Sequence, residues 1–132
     1  KEEKDKKKDK ELKPVIERMK TVLGDRVKDV VTSVRLADSP SCMVVDESDP
    51  TMKMAQMMKA MGNMDLPEVK PILEINPDHA IVTRMKAMGE DDDRFADAAF
   101  LLLEQALLVE GQQLKDPAGF VERLNRVMER AL

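Results

Sequence analysis

The segment from about Arg94 to Glu110 constrains the fold most, because its pattern is helical and it is apolar on almost every side. Phe95, Ala99, Leu102, Ala106 and Val109 form one stripe at heptad spacing. Phe100, Leu103 and Leu107 form a second, and Leu101 and Leu108 a third. Only a narrow strip through Asp97, Glu104 and Gln105 is polar. A helix of this kind must be covered from more than one side. Fully burying a leucine is worth ~1.5–3 kcal/mol, so leaving several in water is costly. In a chain of 132 residues, cover from its own sheet and last helix is limited. Two arrangements meet the need. One is a central core helix in a monomer. The other is an antiparallel helix pair that meets its copy in an intermolecular four-helix bundle.

The rest of the chain reads as an α+β domain with a small three-stranded sheet and flanking helices. Lys1 to Lys13 carries seven lysines against five acids, which predicts a charged linker or a frayed helix extension over residues 1–11. Leu12, Val15, Ile16, Met19, Val22 and Leu23 recur at helical spacing, with Pro14 expected in the first turn and Gly24 as the C-cap. Val27 to Leu36 is rich in β-branched residues and predicts a strand, with Val30, Thr32, Val34 and Leu36 on one face. Asp38-Ser-Pro40 predicts a turn, and Cys42 to Val45 a short strand antiparallel to the first. Ile72 to Ile75 is a third strand. Three helices are expected to start on the same chemistry, at Asp49-Pro50, Asn76-Pro77 and Asp116-Pro117, where the acid or amide caps and proline takes the first turn.

The helix opened by Asp49-Pro50 is unusual. Residues 52 to 61 hold five of the eleven methionines. At 100° per residue, Met54, Met57, Met58 and Met61 share an arc of about 100° from which Lys53, Gln56 and Lys59 are excluded. Methionine is flexible and polarizable, and it is over-used on surfaces that fit many partners. Core helices normally recruit branched shapes instead. The stripe therefore faces either an odd core or solvent.

Catalytic chemistry has no residue set to rest on. His79 is the only histidine, has no thiolate or second imidazole near it in sequence, and suits a capping or packing role. Cys42 is the only cysteine, which excludes an internal disulfide and suits a reducing compartment. Glu90-Asp-Asp-Asp93 lacks the spaced ligands of a calcium loop and instead opposes a helix dipole favourably. No phosphate loop or nucleophile elbow is present, so no catalytic, cofactor or metal residue is expected. A net charge of −4 offers no basic footprint for nucleic acid or anionic membrane. The densest apolar run, Ala98 to Val109, is too short to span a bilayer. The chain begins inside a charge run and is expected to be a piece of a longer protein.

Four segments in register then point to a family. Arg35-Leu-Ala-Asp-Ser-Pro-Ser-Cys-Met-Val44 resembles the RLTDSPACLV-type segment of the ninety-kilodalton heat-shock chaperones, whose bacterial members are HtpG-type. Glu74-Ile-Asn-Pro-Asp-His-Ala-Ile-Val82 resembles their ELNPDH signature. Leu101-Leu-Leu-Glu-Gln-Ala-Leu-Leu108 and the following Asp116-Pro117 resemble their last two helices. The resemblance runs from Leu12 onward and implies a C-terminal dimerization domain over residues 12–132. It implies a homodimer whose last two helices form the four-helix bundle. Its interface would be Ala99, Leu102, Leu103, Ala106, Leu107, Phe120, Val121, Leu124, Val127 and Met128. It implies that Met54, Met57 and Met58, extended by Met61, bind unfolded client proteins. ATP and magnesium would belong to an N-terminal domain outside this chain, making the whole protein an ATPase and this piece none. The segment after the last helix does not resemble the acidic MEEVD-type tail, so no TPR co-chaperone is expected there. A bacterial cytoplasmic or an organellar location is implied. The competing reading is a purely structural oligomerization module with its methionine helix buried.

Overall fold

The computed structural model describes residues 2–33, 38–63, 65–66 and 68–132, with residues 2–9 described by their backbone alone. Helix α1 spans Glu2–Leu23 and runs through a short 3-10 turn, Gly24–Arg26, into strand β1, Asp29–Thr32. Strand β2, Ser41–Val44, is followed by helix α2, Pro50–Ala60, and strand β3, Ile72–Ile75. Helices α3, Ala80–Lys86, α4, Arg94–Val109, and α5, Pro117–Ala131, complete the order. This is the α+β class expected, with one three-stranded mixed sheet.

The strand order corrects the sequence reading. β3 lies between the other two, parallel to β1 and antiparallel to β2. β1 and β2 therefore run in opposite directions, as expected, but they are not neighbours. The reason is burial: Leu73 and Ile75 of β3 are fully buried, and the central position covers a strand on both edges. Val34 and Leu36, expected on the same face as Val30, lie outside the described residues. The register sets Val30, Leu73 and Met43 in one row and Thr32, Ile75 and Ser41 in the next. These rows meet α1 and α4. The Ser41 hydroxyl donates to the Leu102 carbonyl oxygen at 2.7 Å, tying β2 to α4 inside the core.

α1 starts well before Pro14, which sits inside the helix and not in its first turn. A proline there costs a backbone hydrogen bond and crowds the preceding turn. The helix tolerates it because Leu12, Val15, Met19 and Leu23 are all buried, so the core holds the chain on both sides of the proline. Lysine and glutamate are also good helix formers. α3 differs too, beginning three residues after Pro77. Asn76 is occupied elsewhere. Its side-chain carbonyl accepts from the Asp78 amide, and its side-chain amide donates to the Ser39 carbonyl. His79 caps α3 instead, its Nδ1 accepting from the Ile81 amide at 3.1 Å.

Arg18 joins α1 to the loop between α3 and α4. Its guanidinium donates to the carbonyl oxygens of Met88, Glu90 and Asp92 at 3.1–3.2 Å and stands 4.0 Å from the Phe95 ring centre. Hydrogen bonds from a charged donor are among the stronger ones, so Arg18→Ala is expected to cost about 2–3 kcal/mol. A urea melt measures the loss. Amide exchange should rise first across residues 88–92, and an unchanged pattern there would show that the loop holds itself.

Candidate functional site

α4 is covered from three directions, by β2, α1 and α5. Ala99, Leu102, Leu103 and Ala106 are all buried inside one chain. These four, expected at an interface between copies, thus pack against their own chain. The sequence could not separate them from Leu101 and Leu108, since almost every side of this helix is apolar. Leu107 is half-buried against the same core.

α5 sits on α4 by its polar side. Glu104 is buried and takes a two-pronged contact from Arg123, at 2.9 and 2.6 Å. Asp97 takes a second from Arg126, at 3.0 and 2.9 Å. Arg130 reaches Asp93 at 3.5 Å. The pairs descend in opposite directions along two antiparallel helices and form a ladder. Arg123 also lies 4.8 Å from the Phe100 ring centre, which Arg26 approaches at 5.6 Å. The Arg126 guanidinium holds the Asp97 carboxyl below the usual carboxylate range. That contribution to stability is complete above the ordinary aspartate pKa and is lost as the pH falls through the lowered one. Sequence reasoning passed over these arginines. Their spacing of three and four residues, facing acids spaced four and seven apart, was the available signal.

The consequence is an uncovered apolar stripe. Phe120, Val121, Leu124, Val127, Met128 and Ala131 share an arc of about 120° on α5. Val121 is 50% exposed, Met128 47%, and Leu124 and Val127 38% each. Phe120 is half-buried. The stripe continues into a groove of about 460 Å³ lined by Ala87, Met88, Ala98, Val127 and Ala131 together with Arg84, Arg94 and Arg130.

α2 is the second uncovered helix. Asp49 caps it, accepting from the Thr51 amide at 2.8 Å. At its other end Gly62 takes a positive φ of 80° and lets the Asn63 amide donate to the Met58 carbonyl. The Lys28 ammonium holds its start, at 2.9 Å from Asp46 and 3.1 Å from Asp49. Ser48 and Lys28 draw the Asp46 carboxyl down to about 2. No residue of α2 is buried. Met52, Ala55, Gln56 and Lys59 line a groove of about 270 Å³ beneath the helix. The methionine arc faces the other way. Met54 is 57% exposed, Met57 66% and Met61 78%, while Met58 is half-buried.

The remaining candidates stay local. His79 is a helix cap, and Cys42 is a half-buried strand residue. In the acidic run, Asp92 accepts from the Arg94 amide and side chain, and its carboxyl is drawn down to about 2. Among the described residues no cluster of histidine, cysteine and acids could hold a metal ion. Among them, too, no helix is long and apolar enough to cross a membrane.

The Hsp90 protein family model matches residues 1–132. The chaperone protein HtpG of Treponema denticola is 56% identical over 122 residues, covering 92% of this chain and 19% of that protein. HtpG of Dechloromonas aromatica is 54% identical over 118 residues, 89% of this chain and 18% of its own. HtpG of Bordetella avium is 48% identical over 131 residues, 96% of this chain and 20% of its own. This chain thus spans about a fifth of the length of these relatives. A match over its whole length and identities near one half agree: the chain belongs to the Hsp90 family, as a piece of the HtpG type.

Proposed function

We propose that this chain is the homodimerization domain of an ATP-dependent chaperone and that it presents α2 to unfolded client proteins. The observation that carries the dimer is the outward stripe of α5. An amphipathic helix normally turns its apolar side to its own core, and this one turns its arginines inward instead. A second copy offers the identical stripe, and a two-fold pairing buries both at once. The intermolecular bundle is then built from α4 and α5 of each chain. Its contact residues are Phe120, Val121, Leu124, Val127 and Met128, flanked by Leu101, Leu107 and Leu108. Sedimentation equilibrium from nanomolar to high micromolar concentration tests it. A single species of twice the chain mass is expected, and a monomer throughout would overturn the reading.

Client binding rests on α2, where three methionines stand out from a helix with no buried residue. Methionine repacks around many shapes, so specificity is low. Two copies across the dimer offset a modest affinity per site. Replacing Met54, Met57, Met58 and Met61 together with serine is expected to weaken capture of a labelled unfolded protein about tenfold or more, or ~1.4 kcal/mol. Fluorescence anisotropy reads the affinity. The melting temperature should move by less than about 2 °C, because the helix lies outside the core. A large fall in melting temperature would favour the purely structural reading. ATP and magnesium belong, in this reading, to an N-terminal domain outside the chain, and the assembled protein works in the cytoplasm of a bacterial cell.

A further inference from the structure

The arginine ladder poses a question that dimerization alone does not answer. α5 has two faces, and hydrophobic burial by itself would lay the apolar one on α4. In that arrangement the stripe would be satisfied within one chain and α5 would offer no apolar face to a second copy. What α5 meets on α4 is a pair of carboxylates, Asp97 and Glu104, with the exposed Asp93 just before the helix. Covering them with Leu124 and Val127 would bury charge without a partner, which is strongly unfavourable. Covering them with Arg123 and Arg126 satisfies both with paired hydrogen bonds.

We infer that the ladder is an orientation lock, selecting the polar face of α5 for its own chain and so preventing closure into a self-satisfied monomer. The inference rests on the dimer reading. Arg123 is the central positioning residue, since it is held both by Glu104 and by the face of Phe100. Replacing a buried ion pair by apolar groups is often neutral or stabilising for the fold itself. The lock therefore need not stabilise the single chain. Its role is to decide which side of α5 is left for the partner.

The decisive variant makes the carboxylate pair apolar: Asp97→Leu together with Glu104→Leu. α5 is then free to turn its stripe inward and leave its arginines in water. The expected product is a folded monomer, with the dimer weakened a hundredfold or more in sedimentation equilibrium, and with helix content retained and melting no lower than the unaltered chain. General damage would lower the melting temperature instead. If this variant does not fold, a charge exchange decides. Arg126→Asp alone should weaken the dimer, and Arg126→Asp with Asp97→Arg should restore it. A Leu–Leu variant that dimerizes as tightly as the unaltered chain overturns the lock and leaves the dimer reading intact. So does an exchange variant that fails to restore assembly. An unaltered chain that is monomeric removes the dimer reading and the lock together.

Discussion

Leu102→Glu is expected to leave the chain unfolded at room temperature without denaturant. Leu102 is 1% exposed and packs in the core shared by α1, α4 and the sheet. Its carbonyl oxygen also accepts the buried Ser41 hydroxyl. Removing the leucine side chain alone costs ~2–5 kcal/mol. The carboxylate adds to this, because it must either take up a proton or draw water into the core, and both are unfavourable. Native domains of this size hold only about 5–15 kcal/mol in reserve. Circular dichroism and the dispersion of amide resonances would show the collapse. A folded variant would mean that the core around α4 is far looser than its burial indicates.

Leu124→Glu should do the opposite, leaving the fold and removing the assembly. Leu124 lies on the outward stripe of α5, and substitutions at exposed sites typically change stability by less than about 0.5–1 kcal/mol. In a two-fold dimer each substitution occurs twice, placing two carboxylates in an apolar contact. The dimer is expected to weaken about a thousandfold, or ~4 kcal/mol. Sedimentation should report a monomer whose far-ultraviolet spectrum matches the parent. A dimer of unchanged strength would falsify the α4–α5 bundle and move the interface elsewhere. The two leucines are indistinguishable by residue type, and only burial separates their consequences.

Local chemistry was the legible part of this chain. Asp49-Pro50 and Asp116-Pro117 open α2 and α5 as their capping chemistry predicts, since a cap depends on residues within one turn. Asn76-Pro77 carries the same letters, but the Asn76 side-chain oxygen closes a turn onto the Asp78 amide while its NH2 holds the distant Ser39, and His79 takes the cap. Strand order was hidden for a similar reason. Ile72–Ile75 pairs with one strand 43 positions upstream and another 28–34 upstream, and nothing in its residues records that it lies between them. On α4 the residues expected at an interface are buried in their own chain, and a helix apolar on almost every side does not reveal which of its sides α1 will cover. The outward stripe on α5 was legible as a pattern. Its direction was not, since that depends on Arg123 and Arg126 finding Glu104 and Asp97.

The central place of β3 also bears on how the chain is made. Synthesis runs from the N-terminus, so β1 and β2 emerge while their common neighbour is still missing. Neither pairs with the other in the finished sheet, so both ladders wait for β3. Non-local strand closure of this kind is slow. α2 lies between β2 and β3 in the chain, so its methionines reach solvent before the sheet closes. For that interval the nascent domain exposes an unpaired strand edge beside an apolar helix and has, at the moment of its own birth, the features by which an unfolded protein is recognised.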